Sequence, residues 1–203
     1  MNVVLVDPTP RSIIHYVAVC ARLGQRNKIA YSLDGCQDPL SYDLSAISIS
    51  QPKLVKKAIW NLSTILKFYP PSNETHVSYS LGNIQWSDLR GFKPIEVEST
   101  TLEKLCQANS ISNLDILKLD IEGSALEVIE DSFFGGIFPN QILVEIEEIS
   151  KFSRHNLKRL RSLFKTMSEN NYVLISRVGP EFVFCIYSLK VITPTHLFKL
   201  ITF

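Results

Sequence analysis

Leu114–Ile129, LDILKLDIEGSALEVI, carries two patterns back to back. From Leu114 to Ile121 apolar and polar positions alternate around a short apolar core, which is the pattern of a buried strand. Gly123 permits a tight turn, and Ala125–Ile129 opens a helix-forming run. Asp120 and Glu122 therefore stand where a strand hands over to a helix. In an open α/β sheet, ligands occupy the crevice beyond the carboxyl ends of the strands. The same two acids also suit a plainer role, capping the helix and solvating the turn.

Working outward, the flanking chain repeats this strand-then-helix alternation. Asn2–Val6 is a short β-branched run stopped by Asp7-Pro8-Thr9-Pro10. The Thr9 hydroxyl and Pro10 suit a helix start, and Arg11–Leu23 follows as a helix with Ile13, Ile14, Val17, Val19 and Cys20 on its buried stripe. Asp7 thus ends a strand, where nucleoside binders place an acid for the ribose diol; a helix cap explains it equally well. Asn27 to Pro52 is polar and irregular, with short alternating pieces such as Ala46–Ser50, and one or two strands are expected within it. Val55–Trp60 and Ile65–Tyr69 read as strands joined through Asn61–Thr64 as a hairpin. Pro70 to Asn83 is a turn-rich loop bearing His76, Ser78, Tyr79 and Ser80, the kind of segment that recognises ligands. There His76 is a candidate general base, and equally an ordinary surface histidine.

Pro94–Ser99 reads as a strand, followed by a helix capped by Thr100 or Thr101 and running through Asn109. Glu127–Phe134 completes the helix of the opening segment, and Gly135-Gly136 breaks it. Gln141–Glu147 is a second buried strand ending in acids, with Glu145 at its exit. Ser150–Glu169 is a long amphipathic helix with Leu157, Leu160, Leu163, Phe164 and Met167 inward. Lys158, Arg159 and Arg161 are expected on its solvated face. Tyr172–Ser176 and Glu181–Tyr187 form an antiparallel hairpin around Val178-Gly179-Pro180. Leu189–Phe203 is apolar, is interrupted by Pro194, and carries no assignment.

Composition narrows the function classes. The 203 residues fit one domain, with 45% hydrophobic and 20% charged residues. The formal net charge is +1, with no basic field of the kind nucleic acid demands. Cys20, Cys36, Cys106 and Cys185 show neither C-x-x-C spacing nor paired histidines, so neither a zinc site nor a disulfide framework is indicated. Free thiols fit a reducing compartment. No signal peptide and no apolar run of membrane-spanning length is present, and the expectation is a cytoplasmic chain without membrane contact. Oligomeric state is not legible.

KLDIEGSALEVIED (118–131) resembles the signature of the FkbM-type methyltransferases, a branch of the class I S-adenosylmethionine-dependent enzymes. VVLVDPTPRSI (3–13), AIWNLSTILKFYPP (58–71) and QILVEIEE (141–148) resemble further family stretches in the same order. The resemblance implies an α/β, Rossmann-like, doubly wound and mostly parallel sheet with a C-terminal antiparallel hairpin. It also implies S-adenosylmethionine as cofactor, held by Asp7, Pro8, Trp60 and Asp120. Asp120, Glu122, Glu145 and His76 would then be the catalytic candidates, and a small hydroxylated acceptor such as a saccharide the substrate.

Two departures accompany the resemblance. The family's opening strand and glycine-rich turn, similar to V-D-x-G-A-N-x-G, have no counterpart before Asp7, so the domain is expected to be N-terminally incomplete. Truncation is the preferred explanation, ahead of another segment filling the slot or a degenerate relative. The family also often carries an acid where Ala125 stands. The principal reading is O-methyl transfer; the alternative is a non-catalytic methyltransferase-fold binding module. A cluster of acids also suits a divalent cation or a metal-dependent hydrolase, but the histidines such hydrolase sites recruit are missing, and no metal ligand is assigned.

Overall fold

The structure, a computed structural model, describes residues 2–24, 52–70, 79–81, 93–121, 123–146, 149 and 153–187. The strands expected between Asn27 and Ser50, the loop residues His76 and Ser78, Glu122, and the 189–203 tail lie outside the described residues.

Nine strands and four helices follow one another along the described chain: β1 (Val4–Val6), α1 (Pro10–Gly24), β2 (Lys53–Val55), β3 (Ala58–Ile59), β4 (Ile65–Phe68), β5 (Ile95–Thr100), α2 (Leu102–Ala108), β6 (Ile116–Leu119), α3 (Ala125–Phe134), β7 (Gln141–Glu145), α4 (Arg154–Glu169), β8 (Tyr172–Val178) and β9 (Glu181–Ile186). They form three sheets, β1-β2, β3-β5-β4 and β6-β7-β9-β8. The α/β class stands, and β1 with β2, β3 with β5 and β6 with β7 are parallel. The described strands do not join into the one continuous sheet that was expected.

The opening segment folds as its pattern dictates. In β6, Leu117 and Leu119 are buried while Ile116 and Lys118 face outward. Gly123 takes φ +72° and the Ser124 N–H donates to the Ile121 carbonyl at 2.8 Å, closing a four-residue turn. A positive φ at the third position is the geometry that requires glycine there. The core is built around β6, β7, β9, α3 and α4: Ile129, Ile142, Val128, Met167 and Phe184 are each at most 1% exposed. Tyr172 reaches into this core and donates its hydroxyl to the Pro139 carbonyl at 2.6 Å.

Four expectations need correcting. Asn61–Thr64 is not a hairpin: β5 lies between β3 and β4, parallel to one and antiparallel to the other. The reason is Ser99 on β5, whose hydroxyl donates to the Leu62 carbonyl at 2.6 Å and accepts from the Thr64 N–H at 3.0 Å, so the link wraps round β5. Val55–Trp60 is likewise two strands with different partners. On α1, Ile14 and Val17 are exposed and Ala18 is the buried residue, so the contact stripe is rotated from the one expected. Finally, α4 starts at Arg154 with Ser153 as its cap, accepting from the Asn156 N–H at 3.0 Å.

The β8–β9 hairpin forms as expected, with a register irregularity between Leu174 and Ser176. Ile142, fully enclosed on the strand that joins β6 to β9, has no room to relax. Ile142→Ala should lower the unfolding free energy by about 2–5 kcal/mol, read from chemical denaturation with an unchanged m-value.

Candidate functional site

The carboxyl ends of β6 and β7 are held side by side. Their parallel register ends on Leu119 opposite Val144, so the next residues, Asp120 and Glu145, are neighbours on adjacent strands. Strands in one sheet are about 4.8 Å apart. Alternation puts both acids on the face opposite Leu119 and Val144, with Asp120 exposed and Glu145 half-buried. On its other side Glu145 is paired across β7–β9 with Glu181, an exposed acid. Like charges opposite one another are destabilising.

The α4 residue Arg159 sits beside the turn after β6. Arg159 lines a narrow cleft with Ala125, Leu126, Glu145 and Ile146, with about 10 Å³ of free space, room for roughly one water. Its guanidinium grips Glu127 with both terminal nitrogens, one to each carboxylate oxygen, the second at 3.0 Å. The second nitrogen also donates to the Gly123 carbonyl at 2.8 Å. The side chains of Arg159 and Glu127 are 20% and 29% exposed. Arg159 is therefore not on the solvated face where the sequence reading placed it. Its position was legible in helical spacing, because it lies four residues before the buried Leu163, whereas Lys158 and Arg161 fall on the outer face.

Burial pushes the Glu127 carboxyl up, but the Arg159 hydrogen bond, its own backbone N–H and the charges of Arg159 and His155 outweigh this, and the net shift is downward. Glu127 also sits in the first turn of α3, where the helix dipole favours an anion. The buried thiols Cys106 and Cys185 are pushed up by desolvation and pack as small apolar groups.

Asp7, at the end of β1, accepts from the Thr9 N–H at 2.8 Å on one oxygen and from the Ser12 hydroxyl at 2.6 Å on the other. A carboxylate offers about four acceptor positions. The cap of α1 thus leaves acceptor capacity for a diol. Pro8 follows it, half-buried. Trp60, just after β3, is partly buried against the main core, and its backbone N–H donates to the Thr100 carbonyl at 3.0 Å. Of the named candidates, Asp120 and Glu145 are brought together. Asp7 and Trp60 stand at the ends of strands in the other two sheets. A larger cavity of about 240 Å³ opens among Leu114, Ile137, Phe138 and Asn140, at the amino ends of β6 and β7, away from these acids. Among the described residues there is no cluster of three or more His, Cys, Asp or Glu able to hold a metal ion, and no helix long and apolar enough to cross a membrane.

A family model described as the Methyltransferase FkbM domain matches residues 15–174, most of the chain and both acidic strand exits. The chain belongs to the FkbM methyltransferase family. Comparison with curated proteins and with solved structures returned no match. Within the family match lie Trp60, His76, Asp120, Glu122 and Glu145; Asp7 and Pro8 precede it.

The Glu127–Arg159 pair gives the fold a pH signature. Because folding lowers the Glu127 pKa, its contribution is complete above the ordinary value of 4.5 and is lost as pH falls through the lowered one. Glu127→Gln should therefore melt below wild type at pH 7. The gap should close as pH drops below that of ordinary glutamates, as followed by circular dichroism at stepped pH.

Proposed function

We propose that this FkbM-family chain transfers a methyl group from S-adenosylmethionine to an oxygen of a small hydroxylated acceptor, a sugar among the candidates. The same reading takes the three described sheets as portions of one Rossmann-like, doubly wound sheet, and the chain as cytoplasmic. The observation that carries it is the register placing Asp120 and Glu145 side by side at the exits of two parallel strands, inside the family match.

When bound, the cofactor supplies an electrophilic methyl group carried on a sulfonium. Asp7 accepts from the ribose hydroxyls with the acceptor positions its helix cap leaves over. Trp60 gives a flat apolar wall to the adenine. Asp120 would hold the methionine end, while Glu122 and Glu145 would orient the acceptor hydroxyl, one of them taking its proton as the methyl carbon exchanges its bond to the sulfonium sulfur for one to oxygen; His76 is a further candidate base. Bringing oxygen and methyl to about 3–3.5 Å is worth up to about 7–11 kcal/mol of the barrier. Alignment is thus the larger part of what this chain provides.

A second reading is favoured by Asp7, both of whose oxygens are engaged in the cap of α1. It is a non-catalytic family member that keeps the fold to bind a partner. Titration calorimetry with S-adenosylhomocysteine separates the two. Methyl transfer predicts binding in the micromolar-to-millimolar range typical of enzyme substrates. Asp120→Asn should weaken it about tenfold, as expected for losing a hydrogen bond to a charge. Asp7→Asn should do the same, since an amide keeps the oxygen that accepts from the Thr9 N–H and replaces the other, charged acceptor with a donor. A chain that melts cooperatively and gives no heat with the nucleoside is the binding module.

A further inference from the structure

We infer that Arg159 is a positioning residue: it holds the turn after β6 in the conformation that presents the acidic strand exits to the cofactor, an inference that rests on the function proposed above. The turn after β6 is closed by a hydrogen bond from the Ser124 N–H to the Ile121 carbonyl. Gly123 at its centre, with φ +72°, has the softest backbone of any residue type. A guanidinium 36 positions away in sequence donates at 2.8 Å to the Gly123 carbonyl oxygen and so ties this peptide to α4.

An ion pair meant only to clip α3 to α4 needs the Glu127 fork and nothing more. Here one arm of the fork also reaches past Glu127 into the turn. The same side chain lines the cleft beside Glu145, so a single cation spans the exits of both β6 and β7. Arginine suits this because its planar donors are fixed relative to one another. The angle between the Glu127 carboxylate and the Gly123 carbonyl is therefore set by one rigid group. Lysine keeps the charge but has no such fork.

The test compares wild type with Arg159→Met and Arg159→Lys, all held well below their melting temperatures. Hydrogen–deuterium exchange is read at the Ser124 amide against those of β7, and S-adenosylhomocysteine affinity is read by calorimetry. In both variants the Ser124 amide should exchange about tenfold faster while β7 stays protected, and affinity should fall about tenfold. Arg159→Lys, which retains the attraction to Glu127, serves if Arg159→Met does not fold. Unchanged exchange at Ser124 overturns the role whatever the nucleoside does. Faster exchange with wild-type affinity overturns it too, because the turn then moves without consequence for the site. A wild-type chain that takes up no nucleoside removes the proposed function, and this role falls with it. That outcome differs visibly from a wild type that binds and variants that bind as well.

Discussion

The parallel register of β6 against β7 is the constraint on which everything else hangs. Ile142 and Val144 are sealed, Leu117 and Leu119 lie beside them, and α3 and α4 supply Ile129, Val128 and Met167 to the same core. A slip by one residue would turn every one of those strand side chains to the wrong face. Burial therefore fixes the register to the residue. Because it does, the two acids that follow the buried positions emerge side by side from adjacent strands.

Placing two acids together at the end of a sheet carries an electrostatic cost. Glu145 lies between Asp120 on one side and Glu181 on the other. Arg159 stands in the cleft next to Glu145 and is itself anchored by Glu127 and the Gly123 carbonyl. Its charge is held by partners with about a fifth of the side chain exposed, where ion pairs are less screened than at an open surface. Stability and site geometry thus meet in one side chain.

Much of this was legible in the sequence where a single period dominated. The Leu114–Ile129 segment folds as read, with Gly123 at positive φ, and Thr101 caps the preceding helix. Asp120 and Glu145 were legible as strand-exit acids for the same reason. The reading failed where partners come from far along the chain. Nothing local in Asn61–Thr64 announces that Ser99 will take its polar groups, so a hairpin seemed the simplest link. Arg159 was assigned to solvent because it sits among basic residues, although its spacing from Leu163 put it on the inner side. The exposed Ile14 and Val17 of α1 show the limit of amphipathic pattern: it gives a face but not which neighbour will cover it.

The irregularity in β8 has a consequence for the chain in solution. Among the described residues β8 is the outermost strand of its sheet, with Val173, Leu174 and Val178 exposed. A net charge of +1 gives molecules little mutual repulsion, so colloidal stability has to come from local shape. The step between Leu174 and Ser176 breaks the even spacing of the strand just where its aliphatic residues are bare, and Arg177 sets a cation 5.1 Å over the Phe182 ring beside it. An incoming strand from another molecule meets an interrupted ladder with a charge at its flank, and such an edge is a poor template for growth into fibres.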